Sequence, residues 1–431
     1  MTQHQTFRRL GALSLVACAL ASSLGVQAQT LADVTRLIDA AEPQVITWRR
    51  HIHQNAELSY QEVKTSAYIV EALKAMPGFE IQTGIAKTGI KAVLKGGKPG
   101  PVIALRADMD ALPVEERNDL PFRSTARAEW QGKDTGVMHA CGHDAHVAML
   151  LGAAEVLSKI RADLPGTVVF FFQPAEEGGG GAFEMVKAGV MDNPKVEAVF
   201  GQHIGASMPA GAIMYRRGSL MASSDTFNVT VKGVGGHGGM PWASKDPIVT
   251  AAQIVTNLQS VVSRQVDLSQ GAAVVTVGQF SGGNRSNIIP ESASMTGTIR
   301  TLNEASRAQV HEAVIRMAKG TAEASGLTAE AKVDRGYPVL SNDAALVGKT
   351  LGFLNQSTAR VLEIPPVLGS EDFGAFTQSA PGFFWFLNAP PQDDKAGAPN
   401  HSPLFMIGEK HMKTGVKALV NVALGYLQAA K

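Results

Sequence analysis

The pattern of apolar and polar positions changes period along this chain, and the changes divide it. From about Leu31 to Met76 apolar residues recur mostly at helical spacing, most clearly in TSAYIVEALKAM. GIKAVLKG and PVIALRADMDALP then read as strands, the second a nearly continuous apolar run of the kind buried on both faces. HVAMLLGAAEVLSKI is a strongly apolar helix, and GTVVFFFQPAEEGGGG is a buried strand running into a loop. AFEMVKAGV is helical again, and VEAVFGQHI is another buried strand. Strands alternating with helices predict an α/β fold, a mostly parallel sheet with helices on both faces.

At about Gly211 the texture changes. AIMYRRG, SDTFNVTVKGV, AAVVTVGQFSGG and ASMTGTIRT alternate apolar with polar in the antiparallel manner, and two amphipathic helices, from Asp246 and from Asn303, lie among and after them. Four strands and two helices in so short a span predict a compact α+β unit of the split-βαβ kind. Beyond about Glu330 come a helix in AALVGKTLGFL, a core strand in GFFWFLN and a final helix. The expected layout is an N-terminal segment 1–28, a discontinuous domain over 29–212 and 329–431, and an inserted unit over 213–328.

Composition adds limits. The chain has 431 residues, 45% of them hydrophobic and 18% charged, with a formal net charge of +1. That balance suits globular domains with ample core and gives no basic face for nucleic acid. The first residues differ: Arg8 and Arg9 precede an apolar run that ends in Val26-Gln27-Ala28. This is the layout of a secretory signal cleaved after Ala28, with lipid attachment at Cys18 in LVAC as the alternative. No later segment has the ~18 apolar residues of a membrane span. The expected location is therefore periplasmic or secreted. The chain's two cysteines are Cys18 and Cys141, so signal removal leaves Cys141 without a disulfide partner and excludes a cysteine-rich zinc finger.

Candidate chemistry gathers at strand ends, where ligands bind in α/β sheets. RADMD, PAEE and GQHIG end successive predicted strands, and MHACGHDAH sits just before a helix. Cys141 and His143, with Gly142 between them, can face one ion, and zinc accepts sulfur, nitrogen and oxygen donors together. Glu176 and Glu177 are adjacent carboxylates in a loop, free to diverge so that one binds metal while the other moves a proton. A single buried histidine or glutamate pair is ordinarily core or surface. Cys141, His143, Glu177 and His203 together point to a metal site, with His139 and His146 as supports.

These segments, with VKGVGGHGGMPW, RSNIIPESASMTGTIRT, LGSEDFGAF and NHSPLF following in order, resemble one metallo-amidohydrolase family. It is the family of hippurate hydrolase, the auxin–amino acid conjugate hydrolases and the N-acyl-amino acid deacylases, in a wider group with carboxypeptidase G and the aminoacylases. The resemblance spans nearly the whole chain after the N-terminal segment, and HACGHDAH with PAEEGGGGA is its most specific part. It implies a phosphorylase/hydrolase-like mixed sheet carrying two divalent ions, with an inserted ferredoxin-like lid that also forms a homodimer. Zinc comes first among the candidate ions, with manganese, cobalt and nickel open.

By the same resemblance Cys141 bridges the ions, and His143, Glu177, His203 and His401 complete the ligands. Glu176 is the general base. His237 is a lid histidine that reaches the scissile carbonyl, often from the partner subunit. Asn287 and Arg300 hold the substrate's carboxylate. Sister families carry a histidine ligand where this chain has Asp108, and Asp110 matches an aspartate behind the ligands. The implied reaction is hydrolysis of an N-acyl amino acid or dipeptide. A binding protein without catalysis and a cysteine hydrolase using Cys141 are the competing readings.

Overall fold

The computed structural model describes residues 33–429. The expected signal sequence and Cys18 lie outside the described residues. Two helices, α1 (33–54) and α2 (Val63–Lys74), precede strands β1 (Phe79–Ile85), β2 (Gly89–Lys95) and β3 (Lys98–Asp108). Next come α3 (His143–Lys159), β4 (Pro165–Gln173), β5 (Ala198–Gly205) and β6 (Ile213–Tyr215). The inserted unit holds β7 (Asp225–Lys232), α4 (Pro247–Ser260), β8 (Ala273–Gly282), β9 (Ser292–Thr301), α5 (Glu304–Ala324) and β10 (Thr328–Arg335). The chain closes with α6 (Ala344–Leu354), β11 (Val361–Glu363), β12 (Gly382–Asn388) and α7 (Met412–Ala429).

Eight strands form one mixed sheet in the order β1-β2-β4-β3-β5-β12-β6-β11. The central four, β4, β3, β5 and β12, run parallel, so their carboxyl ends open on one side. The continuous apolar runs follow from helices covering both faces. Along β4, Phe170 and Phe172 face a core shared with α1, α2, α3 and α7, while Phe171 faces a second core with Phe373 and Phe376. Helix α3 is buried almost throughout, as its all-round apolar composition requires.

The inserted sheet is antiparallel in the order β8-β9-β7-β10, with its own core of Phe227, Val229 and Val231 against Ile254, Leu258, Val310 and Val314. Its βαββαβ sequence and this order make it ferredoxin-like. Two strands link it to the large sheet, Gly218–Met221 leading in and Leu340–Asn342 leading out, paired antiparallel.

The structure differs from the sequence expectation at both ends of the insert. Ile213–Tyr215, read as its first strand, pairs instead with β12 and β11 of the large sheet. Period-two alternation gives a strand its inner face but does not say which sheet receives it. Thr328–Arg335, expected mostly outside the insert, is its edge strand. Exposed or half-buried along its whole length, β10 carries no apolar run to announce it.

Candidate metal centre

The carboxyl ends of the parallel strands bring the predicted groups together. Asp108 ends β3, the loop after β4 carries Glu176 and Glu177, and His203 lies within β5. Helix α3 begins at His143, earlier than the periodicity indicates, so His143 opens the helix instead of ending a loop. Gly142 before it has φ 89°, and a Cβ there would stand 2.6 Å from Ile204 Cγ2. Glycine alone meets both demands.

Cys141 Sγ lies 3.3 Å from His203 Nε2. His401 Nε2 is 3.2 Å from Glu177 Oε1, and His143 Nε2 is 4.0 Å from that same oxygen. Ligand atoms of Cys141, His143 and His203 all fall within 4.8 Å of one another, and those of Cys141, Glu177 and His401 do likewise. Cys141 is common to both groups.

Two tests show that these residues fit cations. Buried His143 Nε2 and Glu177 Oε1 have no hydrogen bond of acceptable geometry, and such orphans call for an ion or water. The far nitrogens are also committed: His143 Nδ1 donates to the Asp110 carbonyl at 2.9 Å and His203 Nδ1 to the Ile204 carbonyl at 2.8 Å. That fixes each tautomer with the Nε2 lone pair facing the site.

Electrostatics agree. Burial and the Glu177 carboxylate push the Cys141 thiol up, so the thiolate needs a cation beside it. Burial opposes a charge on His143, but Asp108 and Asp110 outweigh it and raise that imidazole well above its usual value. The negative surplus that retains a proton there favours a metal ion in its place. His401, beside Cys141 and Glu177, is raised to about 10.

Around the candidate donors stands a hydrogen-bonded frame. The Asp110 carboxylate accepts from the backbone N–H of Glu176 at 3.0 Å and of Glu177 at 3.1 Å, which lets the adjacent side chains diverge. Asp108 is held by Arg106 Nη1 at 2.9 Å and by His146 Nδ1, and its Oδ2 is 3.6 Å from His143 Nε2. His146 Nε2 accepts from the Ile204 N–H at 2.7 Å, so both its nitrogens are used. His139 is fully buried with neither nitrogen bonded, and burial holds it down to about 3.

A cleft of about 790 Å³ opens over these groups, with Met214, Met221 and Phe386 on its apolar side. Glu176 lines it, and Arg300 of β9 reaches it from the insert, its Nη1 donating to Thr298 Oγ1 at 2.7 Å. His237 and Asn287 do not line it. They sit together, exposed, on a two-stranded ribbon where the Gly238 N–H donates to the Asn287 carbonyl at 2.9 Å.

A buried charge cluster of Arg106, Glu371 and Asp372 escaped the sequence reading. Fully buried Arg106 spans Glu371 at 2.9 Å, Asp372 at 3.1 Å and Asp108, with Gln173 accepting from its Nε at 2.7 Å. Glu176, Glu371 and Asp372 fall within one 4.8 Å group. An arginine inside an apolar strand run was the available signal, since such residues are buried only when paired.

Mixed sulfur, nitrogen and oxygen donors with a further carboxylate beside them suit a metal-dependent hydrolase, and the protein's relatives hydrolyse amide bonds. Residues 104–425 match Peptidase family M20/M25/M40, and the chain belongs to this family. It is 41% identical over 391 residues to a thermostable carboxypeptidase 2 of Saccharolobus solfataricus, covering 89% of this chain and 96% of that one. To an N-acyl-L-amino acid amidohydrolase of Geobacillus stearothermophilus it is 44% identical over 316 residues, covering 73% and 82%. The YXEP protein of Bacillus subtilis, a dinuclear metal binding peptidase of the M20 family, has 35% identity and a TM-score of 0.77, with 90% and 99% covered.

Proposed function

We propose that this enzyme hydrolyses the amide bond of N-acyl amino acids, and of dipeptides of the same outline, releasing an amino acid with a free carboxylate. The carrying observation is that Glu176 lines the cleft beside two donor groups that share Cys141, one carboxylate more than those groups need. Cys141, His143, Glu177, His203 and His401 would hold two divalent ions, zinc in the first instance. Such ions lower the pKa of a water towards ~7 and polarise the substrate carbonyl. Glu176 takes the proton of the attacking water and passes it to the departing amine nitrogen. Arg300 pairs with the substrate's carboxylate and sets the amide over the donors.

His237 and Asn287 act, in this proposal, from the partner subunit of a homodimer. The lid surface around them supports it: Trp242 is 80% exposed, Met240 48% and Ile288 47%. Contiguous exposed apolar side chains of this kind mark interaction surfaces. We also propose export to the periplasm on the strength of residues 1–28, so N-terminal sequencing of the periplasmic protein should begin at Gln29. No helix among the described residues is long and apolar enough to cross a membrane.

A screen of N-acetyl and N-benzoyl amino acids, with zinc, manganese, cobalt or nickel supplied in turn, tests the reading. Chelation should abolish turnover and re-addition restore it, with two ions bound per chain. A fully metallated protein inactive on all of these substrates would overturn it. Arg300→Ala should raise KM about 10- to 100-fold, the worth of a charged hydrogen-bonded pair. An unchanged KM would remove Arg300 from the carboxylate site.

A further inference from the structure

The loop that presents Glu176 and Glu177 has left-handed backbone at three of its six residues. Ala175, Gly178 and Gly180 have φ of 52°, 85° and 68°. Only Ala175 is strained there; the two glycines adopt the region freely, so what holds this loop to one shape is the tying of its polar groups from outside. Two ties come from the large-sheet domain. Glu62 Oε1 accepts from the Ala175 N–H at 2.9 Å, and the Asp110 carboxylate takes the N–H groups of Glu176 and Glu177.

The third tie comes from the segment that leaves the insert. Tyr337 Oη accepts from the N–H of Gly178 at 3.0 Å and of Gly180 at 3.2 Å, and donates its proton to the Glu176 carbonyl. A phenol hydroxyl has one proton and two lone pairs, and here all three are spent on this loop.

Tyr337 belongs to the segment leaving the lid, and the residues around it are fastened to the lid. The Gly336 N–H donates to Asp225 Oδ1 at 3.0 Å, the Gly336 carbonyl accepts from Arg307 Nη2 at 3.1 Å, and the Val339 N–H donates to Glu304 Oε1 at 2.9 Å. Asp225 and Arg307 are themselves a buried ion pair. The backbone on either side of Tyr337 is thus bonded to the lid while its hydroxyl grips the catalytic loop. Arg300, which reaches the cleft from the same lid sheet, is where a substrate carboxylate would pull on it.

We propose that Tyr337 is a positioning residue that makes the placement of Glu176 depend on the lid, so that binding of the substrate's carboxylate is read out as catalytic competence. This rests on the assignment of Glu176 as base. The effect would appear in kcat, because the loop is set in the bound complex. A displacement near 1 Å costs up to ~10²-fold in rate.

The test compares wild type with Tyr337→Phe on an N-acetyl amino acid and on the matching N-acetyl amine that lacks the carboxylate. In wild type kcat should be markedly higher for the carboxylate substrate. In Tyr337→Phe kcat for that substrate should fall about 10- to 100-fold with KM and the two-ion content kept, and the kcat ratio between the substrates should collapse towards one. As a ratio, this reading is insensitive to the fraction of folded enzyme. An unchanged kcat, an equal loss on both substrates, or a wild-type kcat indifferent to the carboxylate would each overturn the coupling. Glu176→Gln run alongside separates the two claims: an active Glu176→Gln sinks the base and the coupling together. An inactive one beside a wild-type-like Tyr337→Phe sinks the coupling alone.

Discussion

Glu176→Gln should lower kcat by about 10³-fold or more while the metal content stays at its wild-type value. The glutamine keeps the shape and the backbone anchors, because Asp110 holds the loop through the N–H groups of residues 176 and 177 and not through the side chain. What is lost is a group that can accept a proton. Burial first, then the carboxylates of Glu371, Asp372 and Glu177, raise Glu176 well above the usual carboxylate range. A base so placed is stronger than an exposed glutamate, and a nearby cation is what keeps it ionised at neutral pH. In wild type, activity should therefore fall as pH drops through the pKa that Glu176 has in the metal-loaded enzyme, and that acid limb should vanish in the variant's residual rate. The variant should be at least as stable as wild type, since the substitution relieves crowding among like charges. Steady-state kinetics, metal analysis and a melting curve on one preparation check all three statements. Near-normal turnover removes Glu176 as the base, and lost metal would place it among the ligands.

The fold and the candidate donors were legible for one physical reason. Buried parallel strands must be continuously apolar, so polar metal-competent groups at their ends stand out, and RADMD, PAEE and GQHIG do. The lid could be read because two amphipathic helices between alternating strands leave few arrangements. Its limits could not, because β6 and β10 are short or exposed and alternation does not name the partner strand. The roles of His139 and His146 in MHACGHDAH were only partly legible. Spacing distinguishes neither from a ligand, and it is the Asp108 and Ile204 contacts that commit His146. Tyr337 left no signal at all, being one tyrosine in a connection whose value lies in a loop some 160 residues away. Arg106 was readable as an anomaly, but its partners Glu371 and Asp372 come from the far end of the chain.

Arg106→Met should destabilise the enzyme by about 3–5 kcal/mol, the usual result of removing one partner from a buried ionic cluster. At roughly 2–4 °C per kcal/mol this lowers Tm by on the order of 10 °C. The magnitude follows from the count of charges. One fully buried guanidinium faces Asp108, Glu371 and Asp372, all buried, and its planar fork meets each while Gln173 takes the remaining direction. Lysine offers three donors from a single point and cannot span the same partners, so Arg106→Lys should fall between Met and wild type. Burial already raises Glu371 and Asp372 above the usual carboxylate range against the opposing pull of Arg106, and losing the arginine raises them further. A carboxyl shifted upward binds its proton more tightly in the folded state, so its cost is felt as pH rises through neutrality and eases as pH falls. The stability deficit of Arg106→Met should accordingly be largest near pH 8 and narrow towards pH 5, where those two carboxyls become protonated. Melting curves across that range decide it: a Tm within about 2 °C of wild type at every pH would mean that the cluster holds without its cation.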